Sequence, residues 1–383
     1  MTGNEDQRVN PSGSAVQAPQ PSREEDFVLD GVFQLEAGGA LHSPTLRFVV
    51  YGEPNATRSN VVLVCHALSG SASVAEWWPQ LFTPGGLLDL RRDCVLGINI
   101  LGSCYGSTGP GSTNPLTGRV YGPDFPLIGI RDIVRSQAML LDWLQIGRLR
   151  LVLGASIGGM QALEWAILYP ERVEQVVSIG VAPLGALGLG LNHLQRQAIQ
   201  LDPLWKGGRY DPDLAPRQGL AIARALAVCT YKSAELFQQR FARKPDRGGE
   251  DPWACVTRDG APSGLAGGRF DVAGYLDYQG SRFNARFDAN SYLAITRTMD
   301  TFDPQQGHET AKAAYARIQA AVTLIGISSD WLFPPSDIRA LAVQISDAGV
   351  RCDYRELQSS HGHDAFLAEP ESLSALLQGT LRR

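Results

Sequence analysis

The sequence has no basic run, no paired cysteines and no apolar stretch long enough to cross a membrane. Lys and Arg number 34 against 39 Asp and Glu, a net charge of -5. With this balance and no basic run, nucleic acid is not an expected partner, since its binding needs a cationic surface. The six cysteines, Cys65, Cys94, Cys104, Cys229, Cys255 and Cys352, form no C-x-x-C pair, and several lie inside apolar runs. They read as reduced thiols of a cytoplasmic protein and offer no metal-ligand spacing. The most apolar stretch, Val176 to Leu191, is short and broken by Pro183 and several glycines, so no membrane span is expected. Residues 1–27 carry no apolar segment of the kind a signal peptide needs. Rich in Pro, Ser and Gln, they are expected to form a disordered tail. P-loops, internal repeats and heptads are also missing.

What is present suits a large globular core: 383 residues, 44% hydrophobic and 19% charged. Alternation predicts strands at Phe33 to Leu35 and Leu46 to Tyr51, with Gly38-Gly39 as the turn between them. Continuous apolar runs at Val61 to Cys65 and Cys94 to Ile100 predict strands buried on both faces. Ile130 to Gln145 has helical spacing, Leu149 to Leu153 reads as a strand, Met160 to Tyr169 as a helix and Val173 to Ile179 as the next strand. Strand and helix alternate, which predicts a mostly parallel sheet with helices on both faces.

From Pro183 to Gln305 the alternation stops. Helical segments follow one another at Asn192 to Gln200, Leu220 to Tyr231, Ala234 to Ala242 and Ser291 to Met299, with a mobile loop expected at Arg243 to Arg269. Strand Ala320 to Ile327, helix Ser336 to Asp347, strand Val350 to Leu357 and helix Glu371 to Leu381 then restore it. The expected organisation is a core of 28–182 and 306–383, with a helical lid inserted at 183–305.

The strand ending at Leu153 runs into Gly154-Ala155-Ser156-Ile157-Gly158, a G-x-S-x-G spacing followed by a helix. A serine on so sharp a strand-to-helix turn is lifted to the carboxyl edge of the sheet, and only small neighbours at Gly154, Gly158 and Gly159 let the chain pack around it. A serine hydroxyl is a weak nucleophile until an imidazole takes its proton, and the imidazole needs a carboxylate to fix its tautomer. Downstream, strand Ala320 to Ile327 ends in Ser328-Ser329-Asp330, and strand Val350 to Leu357 is followed by His361-Gly362-His363-Asp364. Ser156, Asp330 and a late histidine stand in the chain order of the α/β-hydrolase fold. Spacing alone leaves His361 and His363 both open as the base. The oxyanion hole needs two backbone N–H groups, expected from Ile157 and from Leu68 in the loop after Cys65. His66 in that loop is expected to shape it, and Cys104 to serve its own loop rather than catalysis.

Several separate motifs resemble those of the homoserine O-acetyltransferase family, the α/β-hydrolase-fold acyltransferases of methionine biosynthesis. They are His66–Gly70 (HALSG), Asn99–Pro110 (NILGSCYGSTGP), Asp124–Pro126 with Ile130–Asp132, Gly154–Trp165 (GASIGGMQALEW), Gln195–Ile199 with Asp202-Pro203, Phe287–Tyr292 (FDANSY), Ser329–Pro334 (SDWLFP) and Gly362–Leu367 (GHDAFL). The likeness runs from about Leu46 to the C-terminus. It implies that His363 is the base. It also implies transfer of acetyl from acetyl-CoA, a co-substrate and not a bound cofactor, to L-homoserine by a ping-pong mechanism through acyl-Ser156. The acceptor is a zwitterion, and the resemblance places its carboxylate on Arg224 and its ammonium on Asp364, with Tyr231 in the same pocket. Family members that use succinyl-CoA carry an arginine two positions after the catalytic aspartate; Leu332 stands there in this chain, which favours acetyl. Homodimerisation through the helical insertion is also implied. Ser103, Gly129, a short Gly70 to Pro79 segment and the Arg243 to Arg269 loop depart from the pattern. The alternatives are serine as acceptor, since one methylene separates it from homoserine, succinyl as the acyl group, and an esterase or thioesterase that delivers the acyl group to water.

Overall fold

The computed structural model describes residues 18–82, 87–248, 252–253 and 268–378. Among these described residues twelve strands form: β1 (Arg23–Val28), β2 (Val32–Gln34), β3 (Ala40–His42), β4 (Thr45–Tyr51), β5 (Val61–Cys65), β6 (Cys94–Ile98), β7 (Thr113–Asn114), β8 (Arg119–Val120), β9 (Leu151–Ala155), β10 (Gln175–Ile179), β11 (Ala321–Ile327) and β12 (Cys352–Leu357). Eight make one sheet in the order β1-β4-β6-β5-β9-β10-β11-β12. The ladders from β6 to β12 are parallel, and β4 and β1 add antiparallel at one edge.

The apolar runs form central strands because both faces of the sheet are covered. Val61, Leu63 and Cys65 of β5 face one apolar cluster, and Val62 and Val64 face the other. Helices cover both faces: α1 (Val74–Trp77), α2 (Ile130–Trp143), α3 (Ile157–Leu168), then α4 (Ala186–Gln200), α5 (Arg217–Tyr231), α6 (Ala234–Arg240), α7 (Asp271–Asn284) and α8 (Ala289–Asp300), followed by α9 (Ala311–Tyr315), α10 (Pro335–Asp347), α11 (Ala365–Ala368) and α12 (Pro370–Leu377). Among the described residues no helix is long and apolar enough to cross a membrane.

The departures from the expectation include three with a visible physical cause. Residues 1–17 of the expected tail lie outside the described residues, but Arg23–Val28 is strand β1, paired to β4. It carries little apolar signal because it is an edge strand held by cross-strand ion pairs: Arg47 bonds both Asp26 and Glu24, and the Phe27 ring sits 5.3 Å from Trp143. The Gly38-Gly39 turn joins β2 to β3, not to β4, and three-residue β3 is too short to show a period. Helix α7 was not foreseen because Gly274 and Gly280 interrupt its pattern. Gly280 is needed for packing: a Cβ there would lie 2.8 Å from the Ala221 Cβ, so α5 and α7 approach backbone to backbone.

The helical block α4–α8 lies between β10 and β11. Its buried Ile199, Leu220, Phe283 and Tyr292 belong to the same apolar cluster as Met160 and Leu163 of α3, so it shares the core of the sheet's face. Of the loop expected at 243–269, residues 249–251 and 254–267 lie outside the described residues. Its described ends are tied together by a Pro245–Phe270 bridge and by Arg269 bonding Asp246 at 2.7 Å.

Candidate active site

Ser156 sits between the end of β9 and the first turn of α3 with φ 55° and ψ -132°, outside the comfortable regions for a residue with a side chain. Such backbone costs about 1–3 kcal/mol and persists only where its surroundings impose it. Here they do. A Cβ on Gly154 would lie 2.2 Å from the Gly158 carbonyl carbon, and one on Gly158 would lie 2.1 Å from the Cys65 oxygen. The Ser156 N–H donates to the Ile179 carbonyl at 2.9 Å, fixing the elbow to the neighbouring strand.

His363 follows β12 and is buried. Its Nδ1 donates to Asp330 Oδ2 at 2.6 Å, and the other carboxylate oxygen accepts the N–H groups of Leu332 at 2.9 Å and Phe333 at 3.0 Å. Both oxygens of Asp330 are thereby used, and the tautomer of the neutral imidazole is set: with the proton on Nδ1, Nε2 is the free acceptor, and it has no hydrogen-bond partner among the described residues. Phe333 lies 5.2 Å from the imidazole and Phe366 6.1 Å, while a Cβ on Gly180 would come within 3.0 Å of the ring. Burial pushes the imidazole down, the Asp330 and Asp364 carboxylates push it up, and the net shift is upward from 6.5. His361 turns elsewhere, to Ser359 and Glu369.

Ser156 and His363 open into one cavity of about 770 Å³, between the sheet edge and helices α5 and α7. Leu68 lines it too, and Ile157, as the first residue of α3, has an N–H with no carbonyl one turn back to bond. His66 shapes this edge. Fully buried, it donates from Nδ1 to the Ala67 carbonyl and accepts the Ile100 N–H at Nε2, and burial lowers it to about 4, so it stays neutral.

The charged residues also converge. Arg224 reaches into the cavity with its guanidinium 4.9 Å from the Phe283 ring centre and 5.6 Å from that of Tyr231. Among the described residues no carboxylate pairs with it, and its Nε is buried without a partner. Tyr231 lies with its ring 5.9 Å from His363. Asp364 lines the cavity beside His363, but it is already paired: Lys232 Nζ lies 3.0 Å from its Oδ2. Leu332 is not in the cavity wall. An uncharged side chain next to an apolar cluster is drawn into it, and Leu332 packs half-buried against the main core.

A family model for the α/β-hydrolase fold matches residues 60–370. A homoserine O-acetyltransferase of Moorella thermoacetica is 42% identical over 359 residues, 91% of this chain and 93% of that protein. The chain belongs to the homoserine O-acetyltransferase family. A homoserine O-succinyltransferase of Alkalilimnicola ehrlichii is 43% identical, covering 92% of this chain and 94% of its own. A solved homoserine O-acetyltransferase from Bacillus anthracis superposes with a TM-score of 0.86 at 25% identity, over 95% of this chain and 98% of that one. A solved esterase does so with 0.82 at 25% identity, over 94% and 100%.

Two features of this homoserine O-acetyltransferase family member were not read from the sequence. The cavity wall carries Arg47, Arg224, Lys232, Arg240, Arg282 and Arg286 against the carboxylates of Glu24, Glu76 and Asp364, in a chain whose net charge is -5. These residues come from separate segments, so no basic run announces them. Arg286, between α7 and α8, donates to the Ser69 carbonyl at 2.8 Å and to the Tyr105 hydroxyl, tying the insertion to the loop that carries Leu68. Its place directly before the FDANSY motif was the available signal. Cys104 is no rival nucleophile: burial holds its thiol near 11, and its Sγ donates to the Arg286 carbonyl at 3.9 Å.

Proposed function

We propose that this chain transfers acetyl from acetyl-CoA to the hydroxyl of L-homoserine through an acetyl-Ser156 intermediate. The observation that carries it is the Arg224 guanidinium, which has no carboxylate partner among the described residues and lies in the cavity with Ser156 and His363. A hydrolase of simple esters has no use for a cation held open there, whereas an amino-acid acceptor brings the carboxylate that pairs with it.

His363 Nε2 takes the Ser156 proton as Oγ adds to the thioester carbonyl, and the Leu68 and Ile157 N–H groups receive the oxyanion. The tetrahedral adduct collapses, the carbon–sulfur bond breaks, and the proton goes from His363 to the departing thiolate. Homoserine then binds with its carboxylate on Arg224, its ammonium on Asp364 and Tyr231 alongside. His363 deprotonates its hydroxyl, which attacks the acyl carbon, and the Ser156 ester bond breaks to return the proton to Oγ. The remaining cations of the wall, Arg47, Arg240, Arg282 and Arg286, suit the phosphates of CoA.

The test is purified enzyme with acetyl-CoA or succinyl-CoA, each with homoserine or serine, following free thiol and the acylated product. Turnover with acetyl-CoA and homoserine is expected to exceed the other three pairings. Thiol release that continues at full rate without an acceptor makes the chain a thioesterase.

The base works only when unprotonated. With its net shift upward from 6.5, kcat/KM rises with pH along an acid limb lying above that value. Asp330→Asn removes the carboxylate's upward push and moves what activity remains to a lower-lying limb. A wild-type limb below 6.5 means that burial outweighs the two carboxylates. For donor choice, a guanidinium cannot stay packed against the core as Leu332 does, so Leu332→Arg is expected to turn towards the cavity and raise succinyl-CoA use relative to acetyl-CoA. An unchanged ratio assigns that choice to residues of the wall itself.

The homodimer and a cytoplasmic location complete the proposal. Leu187, Leu194 and Leu201 of α4 and its end are spaced seven apart, which sets them on one helix face, and all three are exposed. Sedimentation of the wild-type chain reads the dimer. The location draws support from the five cysteines among the described residues, all of them free thiols.

A further inference from the structure

We propose that Lys232 holds Asp364 in the free enzyme as an intramolecular substitute for the acceptor's ammonium, so that an amino-acid acceptor binds by exchanging one cation for another at the same carboxylate. The proposal rests on the acceptor site described above and deepens it.

Arg224 and Asp364 are the two charged ends of that site, and the structure treats them differently. The cation stands open, without a carboxylate partner among the described residues, while the anion is capped by Lys232 Nζ at 3.0 Å. Asp364 follows the base directly in sequence and shares its cavity. A carboxylate left uncompensated in such a place is costly, because a half-enclosed charge has lost water without gaining a partner. It also biases the neighbouring imidazole towards protonation, the wrong state for a base. A resident ammonium answers both needs until a substrate brings its own.

Lys232 is built for exchange. Its backbone is fixed: the Trp331 Nε1–H donates to the Lys232 carbonyl at 3.1 Å, and a Cβ on Gly362 would meet the Tyr231 oxygen and the Ser233 nitrogen at 2.7 Å, so this segment lies hard against the histidine loop. Its side chain is 20% exposed and that of Asp364 27%, so both face the cavity and neither is locked in the core. A compact ammonium on a flexible stem can swing away and be replaced by a ligand ammonium, which a rigid guanidinium fork bonded through two nitrogens resists.

The exchange has a consequence for selectivity. In the wild type, an acceptor without an ammonium leaves the Lys232–Asp364 pair intact and meets no uncompensated carboxylate. Without Lys232, Asp364 is satisfied only when the acceptor supplies the cation. The test therefore compares L-homoserine with γ-hydroxybutyrate, the same acceptor lacking the amino group. Full-length wild type and Lys232→Met are used with acetyl-CoA as donor, and active sites are counted from the thiol burst. The expected result is a several-fold lower KM for homoserine together with a loss of about tenfold in kcat/KM for γ-hydroxybutyrate. The two acceptors move in opposite directions. Parallel loss with both overturns the proposal and makes Lys232 a residue that positions Asp364; no change with either also overturns it. If the methionine variant gives no burst it has misfolded, and Lys232→Gln, which keeps a polar tip without the charge, answers the same question. A wild type that gives the burst but acetylates neither acceptor overturns the homoserine assignment itself, a result distinct from any effect of position 232.

Discussion

Ser156→Ala is expected to remove acyl transfer, with kcat falling by about 10⁴- to 10⁶-fold, as when the nucleophile of a triad is deleted. The thiol burst disappears with it, because no acyl-enzyme forms. The fold remains. The bonds that hold the elbow are made by the backbone, the Ser156 N–H to Ile179 and the Ser156 carbonyl to the N–H groups of Gly159 and Met160, and alanine keeps them all. It also keeps the Cβ, and with it the strained φ of 55°, so stability changes little. Circular dichroism and a melting curve check the fold, and stopped-flow thiol detection checks the chemistry. A burst that survives in this variant assigns the nucleophile to another residue.

Arg224→Ala is expected to separate the two half-reactions. Truncating one partner of a desolvated, hydrogen-bonded charge pair costs roughly 2–5 kcal/mol, so kcat/KM for homoserine falls by a factor between about 30 and about 4,000. Acetyl-enzyme formation, which precedes acceptor binding, changes by less than about threefold on the same reasoning. Arg224→Lys recovers part of the loss, since an ammonium keeps the charge but lacks the planar two-point fork. The guanidinium lies over Phe283 and Tyr231, contacts that lysine reproduces poorly. Equal loss in both half-reactions removes Arg224 from the acceptor site.

The parts of this protein legible along the chain are those whose cause is local. Val61–Cys65 reads as a buried strand because five consecutive apolar residues have nowhere else to go, and β5 has those bounds. The elbow is legible because the clash it avoids lies within a few residues, between Gly154 and Gly158. Strand β1 is not, because polar residues become a strand only when Arg47 is there to pair with Glu24 and Asp26. Helix α7 is not either, because its glycine answers to Ala221, far away in the chain.

The candidate site divides in the same way. Ser156, Asp330 and a late histidine could be placed at strand ends in order from residue type and spacing, and that order together with the strand–helix alternation indicated the fold class. The choice between His361 and His363 is a matter of which ring meets Asp330, and tertiary structure decided it: His363 Nδ1 lies 2.6 Å from that carboxylate, while His361 bonds Glu369. Tertiary structure also decided that Asp364 is capped by Lys232, that Leu332 packs into the core, and that cations from separate segments face one cavity. The physical reason is that backbone preference and apolar periodicity act over a few residues and are written in the sequence. Charge pairing acts through space between residues a hundred or more positions apart, and only the folded chain determines which of them meet.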